Sequence, residues 1–453
     1  MRKILINTLI LILSVSALFF TLSACKKESG YDLNFYVDGE LYKSVAVMND
    51  GSFDKPNAPL KDGYDFTGWF TDGTFTKKLD NSTLKNLKKD VNVFAKFEAI
   101  FKFSDGEITG VTTYAKENLT QINVPEYILG KKVTSISGEA FNAYFNLKTI
   151  NIPKTITSIG VGTFSGCKNL ESIEVDDGND VYIADGNCLI ELDKLTLVAG
   201  CKGSVIPVYV IFIGERAFID SGIVSVSIPK NVDEIREGAF SNCKELTTVA
   251  FDGESILSNV GANAFENCVK LESITLPNGT LTLDSGVFSG CTNLKTVSLP
   301  HGLLSLGDYV FSGCEKLKSA TFRGASNLNY LGKDAFYNCA SLTAFAVPSD
   351  VGEIQTDTFY GCVNLKTITF ASDSILTKIG DWAFGNCASL ENLILPTTVR
   401  AIFADAFNGC LSLTTLKINA DKTNFEQLVL REGWKNGAIF TEIEFNDGAI
   451  SLD

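Results

Sequence analysis

Residues 294–314 read LKTVSLPHGLLSLGDYVFSGC, and this stretch decides the fold. Leu294, Val297 and Leu299 stand at the L-x-x-L-x-L spacing of a short strand that buries one face and shows the other. Leu303, Leu306, Val310 and Phe311 continue the apolar set, and the unit closes on Ser312-Gly313-Cys314. Outward from here the closing phrase Ala-Phe-x-[Gly/Asn]-Cys-x-x-Leu recurs around Phe240, Phe265, Phe336, Phe384 and Phe407. With the Ala relaxed, it recurs around Phe164, Phe288, Phe311 and Phe359. From Phe240 onward the phenylalanines are 25, 23, 23, 25, 23, 25 and 23 residues apart. One unit of that size cannot bury its own apolar face, so a fixed period predicts stacked coils, a solenoid.

The residue before each Cys is Gly166, Asn242, Asn267, Gly290, Gly313, Asn338, Gly361, Asn386 or Gly409. Gly and Asn enter the left-handed region cheaply, which predicts the cap of a short helical turn built on the Ala-Phe step. Two units depart: Ala143 precedes Tyr144, and Asp220 precedes Ser221. Both lose the Gly/Asn and the Cys together, as if cap and thiol formed one device. Shorter units close the strand with Pro, as at Pro300 and Pro348. Longer ones carry an aromatic and two more residues there, at Phe251, Phe322 and Phe370. A Pro past a strand stops pairing, so the difference is turn chemistry.

Between Phe164 and Phe218, residues 176–201 read as a hairpin-like insertion with turns at Asp177-Gly178 and Asp185-Gly186, roughly one irregular coil. Residues 421–453, with Trp434, Phe440, Ile443 and Phe445, read as a terminal cap, which such arrays require.

The solenoid phrase resembles the BspA-like class of leucine-rich repeats over residues 100–420, many units matching. Residues 31–99, with Gly63-Tyr64-Asp65-Phe66-Thr67-Gly68-Trp69-Phe70 and a closing strand Val91 to Phe97, resemble the Listeria–Bacteroides repeat domain of bacterial surface proteins. The expected fold is therefore a β-rich leucine-rich-repeat solenoid, one strand and a short helical turn per coil. A small β-grasp-like α+β domain precedes it. Trp69 and Tyr64 could stack on sugar, but core aromatics of a small domain are the favoured reading.

Met1-Arg2-Lys3, the apolar run Ile4 to Phe20 and Leu22-Ser23-Ala24-Cys25 resemble a lipoprotein signal with its lipobox. This implies residues 1–24 as signal, a lipid on Cys25 and residues 25–30 as tether. More than one acyl chain is enough for stable anchoring. An uncleaved membrane anchor is the alternative, and the apolar run is short for a span.

The chain carries 39 basic and 53 acidic residues, a net charge of −14, with a pI near 4.8. Such a balance gives no reason to bind nucleic acid. Asp176, Asp177, Asp180 and Asp185 are the densest carboxylates, but they lack the spacing and bidentate Glu of an EF-hand loop, and a solvated turn is preferred to calcium. No metal and no cofactor are expected. Nine of the twelve cysteines hold one place in successive coils. Equivalent atoms of stacked coils lie about 4.8 Å apart, beyond the roughly 3.8 Å between Cβ atoms that a disulfide prefers. Buried free thiols acting as small hydrophobes are expected. Cys188 and Cys201 lie outside the column and are the one plausible bridged pair.

Residues flanking the middle apolar residue of each strand point outward. Across eleven strands these are 22 positions, of which fourteen are Ser or Thr and only Glu174 and Lys417 are charged. Small and β-branched hydroxyl residues suit an exposed sheet, which is the bland reading. The sharper one is a hydroxyl-lined platform with Thr296, Ser298, Ser319, Thr321, Thr367 and Thr369 near its middle. Aromatic or Arg anchors are missing from these positions, and convex or edge surfaces are the other candidates. The single histidine, His301, follows Pro300 in a turn, so neither a His-based nucleophile nor a multi-His metal site can be built.

The family resemblance implies adhesion, with host matrix proteins, epithelial cells or other bacteria as partners. The expectation is thus a non-enzymatic, lipid-anchored surface adhesin facing the extracellular side. Glycan capture through Trp69 or Trp434, or an envelope role without an external ligand, are the alternatives.

Overall fold

The computed structural model describes residues 30–48, 50–80, 84, 87–423 and 428–452. The signal and Cys25 lie outside these. The described residues form two compact units, one within 30–60 and 66–97, the other within 61–65 and 98–452.

In the first unit, Glu40–Ala46, Asp32–Val37, Val91–Ala99 and Tyr64–Phe70 make one sheet in that order. Asp32–Val37 runs antiparallel to Glu40–Ala46 and parallel to Val91–Ala99. Leu33, Phe35, Trp69 and Val93 fill its core. The Trp69 ring meets Phe35 at 4.8 Å and Phe66 at 5.2 Å, both edge-on, and is 1% exposed. Trp69 is core, and no sugar reaches it.

In the second unit the coils lay their strands in parallel along two faces, each face divided into shorter hydrogen-bonded sheets. The first face takes the four- or five-residue strand of the repeat, as in Thr296–Pro300, which pairs in register with Ser319–Arg323. The second takes a two-residue strand such as Ser305–Leu306, paired with Tyr330–Leu331. Between them the apolar positions close a continuous core. Phe218, Phe240, Phe265, Phe288, Phe311, Phe336, Phe359 and Phe384 are fully buried, and successive rings stack at 4.8 to 5.7 Å.

The Ala-Phe step differs from the expected helical turn. It is a run of tight turns with two left-handed residues per coil, such as Gly238 and Asn242, or Asp334 and Asn338. The reason lies in the backbone hydrogen bonds. Cys243 N–H donates within the turn to Phe240 O, while Gly238, Phe240 and Asn242 N–H donate to Ala262, Ala264 and Glu266 O of the next coil. A helix would spend all of these donors inside one coil. Alternating hands sends every second one along the stack, so a third side is also hydrogen-bonded coil to coil.

The thiols are free and buried, eleven among the described residues, Cys188 and Cys201 included. Each column thiol also donates to a carbonyl of the preceding coil: Cys243 to Phe218, Cys291 to Phe265, Cys314 to Phe288, Cys362 to Phe336, at 3.0 to 3.1 Å. In the departing units the left-handed backbone persists, with Ala143 at φ 53° and Asp220 at φ 54°. Only the side-chain partner changes. Tyr144 OH donates to Ala115 O at 2.5 Å, and Ser221 Oγ lies 3.4 Å from Cys243 Sγ. Cap and thiol are separable after all.

The insertion forms three antiparallel strands, Tyr182–Asp185, Cys188–Glu191 and Thr196–Gly200; the last pairs in parallel with Phe212–Ile213 and so enters the second sheet. Its first turn is Gly186-Asn187, both at positive φ, one residue beyond the dipeptide expected. At the front, an antiparallel hairpin (Phe101–Ser104 with Glu107–Val111) and a six-residue helix, Thr113–Asn118, open the array. At the back, Glu442–Phe445 pairs with Leu416–Ile418 and folds back on Gly448–Ser451. Trp434, 8% exposed, is buried beside Phe440.

Coil spacing sets a sharp test at one glycine. A Cβ on Gly332 would lie 2.5 Å from Asp308 N and from Gly307 C, backbone atoms of the preceding coil. Gly332→Ala is expected to cost about 1–3 kcal/mol, read by urea unfolding. Gly352 faces nothing within 4 Å and lies outside the left-handed range. Gly352→Ala should be neutral or stabilise by about 0.4–1 kcal/mol. Equal losses at both sites would contradict the packing account.

Candidate functional site

The alternation of a strand turns residues such as Ala344 and Ala346 outward while Phe345 and Val347 enter the core. The turn after the strand then decides the relief of the surface. In the shorter coil, Val351 N–H closes on Pro348 O at once. In the longer coils a Ser folds the extra residues: Ser326 Oγ accepts from Leu328 N–H and Ser374 Oγ from Leu376 N–H, at 3.1 and 3.3 Å. The short coil of Ala344–Val347 sits between the long coils of Phe322 and Phe370. Two raised loops therefore flank a low one.

The result is a groove of about 760 Å³ with Ala344 and Ala346 on its floor and Phe322 and Phe370 in its walls. Ser319, Thr321, Thr367 and Thr369 line it, four of the six hydroxyl residues singled out in the sequence. Its lining holds two charged side chains, Lys318 and Asp373. A smaller hollow of about 350 Å³ lies across the Thr367–Phe370 strand, against Ile394 and Thr397. Ile394 is 53% exposed.

Thr296 and Ser298 fall outside both hollows. Arg323 reaches back over Ser298, its Nη1 donating to Ser298 Oγ at 3.1 Å and its Nη2 to Leu276 O at 2.6 Å and Asn278 Oδ1 at 2.8 Å. The guanidinium thus fills on one side of Phe322 the kind of gap that stays open on the other. Ala344 and Ala346 escaped the sequence reading, which took Phe322 and Phe370 as turn aromatics and not as walls of a groove. Their signal was there: one strand with Ala at both outward positions, set between two 25-residue units.

Such a surface has the anatomy of a protein-recognition hot spot, an apolar pocket with aromatic walls and a hydroxyl rim. His301 is exposed in its turn. The insertion's carboxylates have separate partners, Asp176 accepting from Asn151 Nδ2 at 2.8 Å and Asp185 from Tyr209 OH at 2.9 Å. Among the described residues no group of three or more His, Cys, Asp or Glu could hold a metal ion. No described helix is long and apolar enough to cross a membrane. The glycan reading through Trp69 or Trp434 fails at both residues, since each is buried.

Comparison with known proteins adds the following. Residues 107–198, 211–329 and 323–433 match the family model of the BspA type leucine rich repeat region, and residues 31–96 that of the Listeria-Bacteroides repeat domain. Internalin H of Listeria monocytogenes is 30% identical over 119 residues, 26% of this chain and 21% of that protein. The chain thus matches about a fifth of that relative's length. A leucine-rich repeat protein from Bacteroides ovatus aligns with 73% of this chain and 88% of its own at 26% identity, with a TM-score of 0.49. A leucine rich cell surface protein from Faecalibacterium prausnitzii aligns with 83% and 98% at 20% identity, with a TM-score of 0.41. The three stretches that match the repeat model run over more than half of the sequence and contain its whole phenylalanine column from Phe141 to Phe407. The chain belongs to the BspA-type leucine-rich-repeat family.

Proposed function

We propose that this chain is a surface-displayed, non-enzymatic protein-binding scaffold, an adhesin towards host matrix, epithelial or bacterial surface proteins. The observation that carries the reading is the Ala344–Ala346 groove between Phe322 and Phe370. Its volume suits one or two large apolar side chains of a partner, with Ser319, Thr321, Thr367 and Thr369 placed to satisfy polar groups around them. In this reading a lipid on Cys25 holds the chain to the membrane. Residues 31–99 then act as a spacer domain, 100–420 as the array and 421–453 as its cap.

The test is binding of the full mature chain to a panel of matrix proteins, epithelial cells and bacterial cells. Ala346→Arg places a long charged side chain on the groove floor without touching the core. It is expected to weaken binding by about 2 kcal/mol or more, roughly thirtyfold, with an unchanged thermal midpoint. Binding that survives Ala346→Arg at full strength would move the interface off this groove.

A further inference from the structure

The third tryptophan, Trp382, breaks the repeat in a way that coil stacking does not require. It occupies the first left-handed position of its coil, at φ 53°. Other coils fill that position with Gly238, Asn263, Gly286, Asp334, Asp357 or Asp405, for which the conformation is cheaper, and three more with Glu139, Arg216 and Tyr309. A bulky residue is held there at a cost, and Trp382 stays half-buried outside the phenylalanine column. It meets Tyr360 edge-on at 5.8 Å, and Tyr360 stacks flat on Tyr337 at 5.1 Å and 9°. The next residue along that tyrosine column is Gly385, where a Cβ would stand 2.7 Å from both Trp382 Cε3 and Tyr360 Cδ2. Two tyrosines, a strained tryptophan and a glycine that admits it therefore converge on one assembly of rings. The corresponding turns of other coils close with Ser241, Ser289 or Ser312 in the tyrosine place.

Beside the two tyrosines, with Trp382 outside its lining, lies an open hollow of about 670 Å³, lined by Tyr337, Tyr360, Asn338, Asn386, Val363 and Leu411. It is on the turn side of the coils, away from either sheet. Val363 is 41% and Leu411 65% exposed. Asn386 Nδ2 donates to Tyr360 OH at 2.9 Å, which fixes the phenol and leaves its proton to donate. No charged side chain is in the lining.

Rings and aliphatic groups beside carboxamides and a phenol, without charge, match one ligand chemistry. A pyranose offers a C–H face to pack on an aromatic ring and hydroxyls that pair with amide donors and acceptors. The missing charge disfavours sialylated, sulfated or phosphorylated ligands, which need a cationic partner. We propose that the Tyr337–Tyr360 surface, with Trp382 packed behind Tyr360, is a carbohydrate-binding site for neutral hexose units, separate from the groove of the first sheet. A glycan could thus be held while the first sheet engages a protein.

The experiment applies the full mature chain to an array of neutral glucose-, galactose- and mannose-terminated glycans and their sialylated and sulfated counterparts. Binding to neutral glycans is expected, falling at least tenfold in Tyr360→Ala and in Tyr337→Ala and kept in Ala346→Arg. Three results overturn the proposal: no neutral glycan bound, only charged glycans bound, or neutral binding unchanged in Tyr360→Ala. Loss of protein binding in Tyr360→Ala with an empty array would reassign the surface to a protein partner and overturn it equally. Loss of protein binding in Ala346→Arg concerns the groove alone.

Discussion

Between about pH 8 and about pH 11 the protein is expected to lose most of its resistance to urea, because its repeat buries a column of thiols. Burial pushes Cys167, Cys188, Cys243 and Cys410 up to about 12. It lifts Cys268, Cys314, Cys339, Cys362 and Cys387 well above the ordinary value of 9.0. In the unfolded chain the same thiols ionise near about 8.5. Above that pH the unfolded state releases protons that the folded state keeps, so stability falls as pH rises. Each thiol contributes a slope of about 1.4 kcal/mol per pH unit until its folded pKa is reached. Several thiols titrating together exhaust the roughly 5–15 kcal/mol of a typical domain within about two units. Below the unfolded thiol range the whole of this stability is present. Urea midpoints across the range, with iodoacetamide labelling at about pH 8, check it. The native chain should label at none of the eleven described cysteines, and the unfolded chain at all of them. A flat profile, or native labelling, would contradict the buried column.

The array itself was legible because its determinants are chemical and periodic. Phe, Leu and Pro mark core and turn wherever they stand, so the 23- and 25-residue spacing carries over into the sheet registers. The turn side was less legible. The cap at Gly313 or Asn338 shows in the sequence because two residue types dominate it. The first left-handed position, four residues before the cap, holds Arg216, Tyr309, Asp357 and Trp382 as well as glycines, and only the backbone unites them. The thiol's bond to the Phe carbonyl was likewise invisible, since packing alone accounts for a small apolar residue there.

The site divides along the same line. Which hydroxyl residues face outward follows from strand alternation, so Ser319, Thr321, Thr367 and Thr369 could be named. Which of them share a groove depends on loop height and on Arg323 reaching two coils back, neither of which a single unit encodes. Unit length was the available clue. A 23-residue coil between two 25-residue coils is a depression, and Ala at both outward positions deepens it.

Replacing one ring in the middle of the column should do more than lose that ring. Phe311 stacks on Phe288 at 5.7 Å and 3° and on Phe336 at 5.3 Å and 25°, with no exposure. Phe311→Ala removes both contacts and leaves a cavity that hydrogen bonds on three sides of the coil prevent from collapsing, for an expected loss of about 3–5 kcal/mol. In a linear array each coil is stabilised by its two neighbours, so a weakened interface lets the halves unfold apart. Urea unfolding of Phe311→Ala should therefore show an earlier transition that splits from the main one, whereas the native chain unfolds more cooperatively. Phe407 stacks flat only on Phe384 and meets Phe440 edge-on, near the end of the array. Phe407→Ala should fray that end without splitting the rest. Phe311→Leu, which retains most of the volume, should recover a good part of the loss. A single transition shifted by less than about 1 kcal/mol in Phe311→Ala would mean that the sheets, and not the stacked rings, hold the coils in line.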